Sequence, residues 1–150
     1  MKKEDIKIPP SGLNFKRTEM PQLGAKEDFL RQLQNHKVKF RHTIVDSKDL
    51  KASQGEFDRD AIHSLIHDPH KARSAIVISK DNYVIDGHHR WAANYNTGKK
   101  TKAVQVHLPV LELLRLAKTF PTTKYKNIHQ VKKSVMKVVR EARERESINT

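Results

Sequence analysis

Asp86-Gly87-His88-His89-Arg90 brings a carboxylate, two imidazoles and a guanidinium together around one glycine. Phosphoryl transfer or phosphodiester cleavage needs such groups: positive charge for the non-bridging oxygens, a base for the attacking hydroxyl or water, and usually a divalent cation. Arg90 supplies the charge, His88 or His89 the acid or base, and Asp86 either orients a histidine or joins a magnesium or manganese site. The plainer reading is structural: Asp86 caps a helix, Gly87 permits the bend, and the histidines lie on the exposed face. One glycine is a much weaker signal than a glycine-rich phosphate loop, and no Walker A pattern occurs.

The elements that must position this turn are legible around it. Ser74 to Ser79 and Tyr83 to Asp86 read as two strands joined by a tight turn at Asp81-Asn82, so the motif sits at the end of the second strand. Trp91, Ala92 and Tyr95 then share one side of a helix that ends by Gly98. The first turn of a helix leaves backbone amides unpaired at the positive end of its dipole, which favours an anion.

Residues 1–24 are polar, carry Pro9, Pro10 and Pro21, and read as an arm that is extended or ordered only by docking, with Met20 and Leu23 as anchors. Phe29, Leu30 and Leu33 predict a helix from Ala25 to about His36, and Val38, Phe40 and Ile44 a strand. Leu50 to Phe57 shows no clear period; Asp58 or Asp60 caps a helix carrying Ala61, Ile62 and Leu65 that stops before Pro69. Val104 and Val106 alternate as a strand, and Pro109 opens a core helix that reaches Phe120. The expected division is an arm over 1–24, a domain over 25–120 and a basic amphipathic helix over 121–150, its stripe formed by Ile128, Val131, Val135 and Ala142.

With 150 residues the chain fits one domain, and 30 Lys and Arg against 17 Asp and Glu give a charge of +13 that favours a nucleic acid or nucleotide as partner. The absence of cysteine excludes disulfides, thiolate zinc sites and cysteine nucleophiles. No apolar run approaches the roughly 20 residues of a membrane span, so a soluble, cytoplasmic protein with no membrane partner is expected.

Ile76-Val77-Ile78 followed by Tyr83-Val84-Ile85-Asp86-Gly87-His88-His89-Arg90-Trp91-Ala92-Ala93 resembles the ParB/sulfiredoxin superfamily. Val45 to Leu50 looks like its opening strand and loop, Phe57 to Leu65 like its next helix, and Gly98 to Val106 like the return to the sheet, so the likeness covers roughly residues 38–108. It implies an α/β fold (α+β by stricter usage), a small mixed sheet with surrounding helices, here followed by a C-terminal helical extension. It also implies that Gly87, His88, His89 and Arg90 meet phosphate. His88 and His89 depart from the Gly-Glu-Arg-Arg turn usual in CTP-dependent partitioning members, and His88 stands where sulfiredoxin has its cysteine. The Asp-Gly-His-His-Arg form looks closer to kinase-like and phage-type members; for a phage protein the compartment is the host cytoplasm.

In kinase-like relatives a loop carboxylate serves as base, which makes Glu56 a candidate catalytic residue, with Ser53 and Gln54 as phosphate contacts. His63, His67 and His70 have partial metal-ligand spacing but lack the glutamate of a zincin helix, so a surface pair is expected. The leading functional expectation is a ParB-like nuclease or nucleotide-dependent hydrolase or phosphotransferase using ATP, ADP or CTP, with magnesium or manganese as cofactor. The alternative is a non-catalytic module that binds DNA or a host protein and uses the same turn as an anion site. Lys132, Lys133, Lys137 and Arg140 are the nucleic-acid contacts of the last helix, whose apolar stripe serves packing, a homodimer or a host protein.

Overall fold

The computed structural model describes residues 1–121 and 123–125. In chain order the elements are β1 (Ser11–Phe15), β2 (Pro21–Gln22), α1 (Lys26–Asn35), β3 (Phe40–Val45), β4 (Lys51–Gln54), α2 (Arg59–His67), α3 (Pro69–Ala72), β5 (Ile76–Ile78), β6 (Tyr83–Asp86), α4 (His88–Asn96), β7 (Thr101–Val106), α5 (Val110–Ala117) and β8 (Lys124–Tyr125). The fold is α/β. A six-stranded mixed sheet has the order β1-β4-β6-β5-β7-β3, and β2 pairs with β8 separately. β1, β4 and β6 run parallel to one another, β5 is antiparallel to β6 and parallel to β7, and β3 closes the far edge antiparallel to β7.

Alternation along the central strands decides the layering. Val77 and Ile85 point to the face covered by α1 and α5, where they meet Phe29, Leu33, Leu113 and Ala117. Ile76, Ile78 and Val84 point to the other face and pack on Trp91 of α4, with Leu50 and Ala103. Because β5 is buried on both faces, it reads as an unbroken apolar run. Outside α4, Ile62 of α2 closes a small cluster with Ala92 and Ile6. Fully buried Trp91 also donates its indole N–H to the Ser47 carbonyl at 2.7 Å, which fixes the rotation of α4 against the sheet.

Several expectations hold at the level of single residues. Asp58 caps α2 by accepting from the amides of Asp60 and Ala61, Asn82 takes a positive φ in the β5–β6 turn, and Gly98 takes one just past α4. Met20 and Leu23 are buried anchors, but their segment is more than a docked arm, since β1 pairs with β4 as the edge strand of the main sheet. β4 escaped detection because its inward residues Ser53 and Gln54 are polar. Ile44 belongs to a strand as expected, yet it is 62% exposed because β3 lies at the sheet edge. No helix among the described residues is long and apolar enough to cross a membrane. The C-terminal helix expected beyond Asn127 lies outside the described residues.

Candidate functional site

Three parallel strands that end together create the site. Arg17 follows β1, Gln54 ends β4, and Asp86 ends β6, so all three arrive at one pole of the sheet, the position where open α/β sheets hold ligands. A cleft of about 360 Å³ opens there, lined by these residues together with Lys71 of α3 and Gly87, His88, His89 and Arg90 at the start of α4. A second cavity of about 220 Å³ lies between Lys26, Phe29 and Val77, and Asp86 and Arg90 line both spaces.

Gly87 makes the turn sterically possible. Its φ is +93°, and a Cβ there would stand 2.5 Å from Ile76 Cγ2 and 2.8 Å from Arg90 Nη2. The helix starts against the sheet more closely than any side chain would allow. Gly87 itself is the N-cap of α4, so the expected capping by Asp86 is not made. Instead the Asp86 carboxylate lies beside Arg90 and Lys26, close to the Gly87 amide.

Burial raises the Asp86 pKa above the usual carboxylate range, against the opposing pull of Arg90, Lys26 and the Gly87 amide. Lys26 is lowered, first by burial and then by Arg90. The Ala75 carbonyl accepts from Lys26 Nζ at 2.6 Å and from Arg90 Nη2 at 3.5 Å, while Arg90 Nε is buried without a hydrogen-bond partner. Asp86 is the one carboxylate among the described residues lining the cleft, set against Arg17, Lys71 and Arg90. No group of three or more His, Asp or Glu among the described residues is arranged to hold a metal. This donor set does not fit a magnesium or manganese ion held by the protein alone. His63 and His67 meet edge-on with Nε2 atoms 3.1 Å apart at an exposed position.

The paired histidines are not two exposed rings. His88 is buried, and its Nε2 accepts the backbone N–H of Ser53 at 3.2 Å and of Gln54 at 3.4 Å. His89 Nε2 accepts the Asp58 N–H at 2.9 Å. An accepting ring nitrogen keeps its lone pair, so His88 is neutral in this arrangement, and Phe57 meets both rings edge-on. They tie the connection between β4 and α2 to the first turn of α4. Burial, then His89 and Arg17, push the His88 pKa well below its ordinary 6.5.

Folding therefore favours the neutral ring of His88. The stability this contributes is fully present above pH 6.5 and falls as acid protonates the unfolded chain first. Chemical denaturation of the native chain between pH 7 and pH 5 should show this loss, and His88→Gln, which keeps an acceptor for the two amides, should show a shallower one. Equal slopes would mean that the ring titrates freely in the folded chain.

The remaining candidates separate. Gln54 lines the cleft and donates its Nε2 to the Glu56 carbonyl at 2.7 Å. Ser53 is fully buried and gives its hydroxyl to the Val84 carbonyl, so it is a strut between β4 and β6 and does not line the cleft. Glu56 stands behind the wall: its Oε1 accepts the Arg17 N–H at 2.9 Å, and its Oε2 is buried without a hydrogen-bond partner. Arg17, lowered by burial, is pulled back up by Asp58 and Glu56. Arg17 and Lys71 were not foreseen, because they come from elements far from the motif; the strand-like Ser11 to Phe15 just before Arg17 was the available signal. Lys132, Lys133, Lys137 and Arg140 lie outside the described residues. Compared with protein-family models, curated proteins and solved structures, the chain finds no match.

Proposed function

We propose that the cleft at the start of α4 binds the phosphate of a nucleotide or nucleic acid, and that the chain is a hydrolase or phosphotransferase of the kind its ParB/sulfiredoxin resemblance implies. The observation that carries this reading is the convergence of Arg17, Lys71 and Arg90, from separate parts of the chain, on a helix start whose N-cap is a glycine. One half-buried carboxylate with a raised pKa faces them. Arg90 neutralises the non-bridging oxygens, and Asp86 takes the proton of the attacking water or hydroxyl, its pKa moved toward the working range by burial. His88 and His89 are positioning residues that hold the walls together through backbone amides. Glu56 supports Arg17 from behind.

The test is incubation with ATP, ADP, CTP, single-stranded DNA and plasmid, with and without magnesium, comparing the native chain with Asp86→Asn. Phosphate release or strand cleavage that disappears in Asp86→Asn while binding persists is the expected result. Full turnover in Asp86→Asn would remove this carboxylate from the reaction. A second reading, the non-catalytic module, is favoured by the fact that both histidine Nε2 atoms are spent on backbone amides. Its outcome is binding without turnover by the native chain.

A further inference from the structure

On α2, Ile62 is fully buried against Ala92 and Ile6, with Ile66 packed beside it, so the neighbouring row of the helix, His63 and His67, comes to the surface. The two ring centres are 4.4 Å apart but the Nε2 atoms only 3.1 Å, so the nitrogens are turned toward each other. A third electron-rich atom joins them: the Met1 carbonyl oxygen lies 3.2 Å from His67 Nε2. The segment that carries it is pinned in place. Ile6 is buried, Arg59 donates to the Ile6 carbonyl, Lys3 pairs with Asp60, and Asn96 accepts the Lys7 N–H at 2.7 Å and donates to the Lys7 carbonyl at 2.8 Å.

These separations match ligands that share one cation. At a metal–nitrogen distance of about 2.0–2.1 Å, two ligands of one ion stand about 2.9–3.4 Å apart as the angle between them opens from square to tetrahedral. Both 3.1 and 3.2 Å fall in that interval. Protons serve the cluster less well. With a hydrogen on His67 Nε2, one N–H faces two acceptors, the Met1 oxygen and the bare His63 nitrogen; with it on His63 Nε2 instead, the His67 lone pair faces the Met1 oxygen. A cation satisfies all three atoms together. His67 is also the last residue of α2, where the negative end of the helix dipole favours positive charge.

We infer that His63 and His67, with the Met1 carbonyl, bind a borderline divalent transition-metal ion of the zinc class, water filling its remaining positions. Two imidazoles and a neutral carbonyl suit zinc, nickel or copper and select against magnesium and calcium, which take oxygen ligands and carboxylate charge. The acids near the pair in sequence are engaged elsewhere, Asp60 with Lys3 and Asp68 with Lys71. With fewer protein ligands than a closed structural site, the ion is exchangeable, and it ties the N-terminal segment to α2. Neither histidine lines the cleft at α4, so either site can fail without the other.

The experiment is calorimetric titration of zinc chloride, and separately of magnesium chloride, into the whole untagged chain, comparing the native chain with His63→Ala, His67→Ala and His70→Ala. The native chain should bind one equivalent of zinc saturably, and each of the first two variants should weaken it at least about tenfold, since even the outer partners of metal ligands typically cost that much. His70 forms no metal-holding group with the pair, so His70→Ala should bind as the native chain does. Zinc should raise the melting temperature of the native chain and leave that of His63→Ala and His67→Ala unmoved. Ring nitrogen resonances of His63 and His67 in the isotope-labelled native chain should shift with zinc, a readout that needs no substitution. Undiminished zinc binding in both variants, ring resonances at His63 and His67 that stay in place, or magnesium binding as tightly as zinc would each overturn the inference.

Discussion

Arg90→Gln should cost about 10- to 100-fold in affinity for a nucleotide, the loss expected when a charge-assisted hydrogen bond worth roughly 1.5–3 kcal/mol is removed. The side chain lines both the cleft and the cavity behind it, and its Nε is buried without a partner in the protein. A phosphate oxygen is a fitting acceptor for such a group. The same substitution has a second effect. Arg90 is the largest influence opposing the burial that raises Asp86, so without it the carboxyl moves further up. If Asp86 is the base, it works only when ionised, and the rise of activity with pH should begin at a higher pH in the variant. Calorimetric titration measures the first effect and a pH–rate profile the second. Unchanged affinity would remove Arg90 from the binding site.

The second large effect concerns the glycine. Gly87→Ala places a β-carbon where the backbone is left-handed and where Ile76 Cγ2 lies 2.5 Å and Ile76 Cβ 2.9 Å away. Ile76 is fully buried in the central sheet and has nowhere to withdraw. Left-handed strain of about 1–2 kcal/mol and overpacking of about 1–3 kcal/mol together predict a loss of about 2–5 kcal/mol. For a chain of this size that is a melting temperature lower by roughly 6–15 °C. The first turn of α4 must also swing away from the sheet, carrying Arg90 out of the cleft. Gly98→Ala is the control, since Gly98 has φ +68° but a β-carbon there meets nothing within 4 Å. Thermal denaturation of both variants tests the argument, and equal losses would contradict it.

The motif and its carrier hairpin were legible because each local signal agrees with the fold: apolar strands buried on both faces, a turn at Asn82, an obligate glycine, and Trp91 facing the sheet. The cap at Asp58 was legible for the same reason. β4 was not, since a strand that buries Ser53 and Gln54 carries no apolar period, and their satisfaction by Val84, Glu56 and His88 is a tertiary matter. The roles of His88 and His89 were equally hidden. Their residue type and spacing suit acid–base chemistry, whereas the backbone amides that occupy their Nε2 atoms come from residues more than thirty positions earlier. Arg17 and Lys71 enter the cleft only because β1 ends beside β4 and α3 packs near α4, a juxtaposition that no local spacing encodes.

Phosphate binding at the start of α4 is tested most directly by following backbone amide resonances of the isotope-labelled chain during titration with ADP or pyrophosphate. Saturable shifts that are largest at Gly87, His88, His89 and Arg90, with smaller ones at Arg17 and Lys71, are the predicted result. An unperturbed turn, or saturable shifts confined to other parts of the chain, would contradict it.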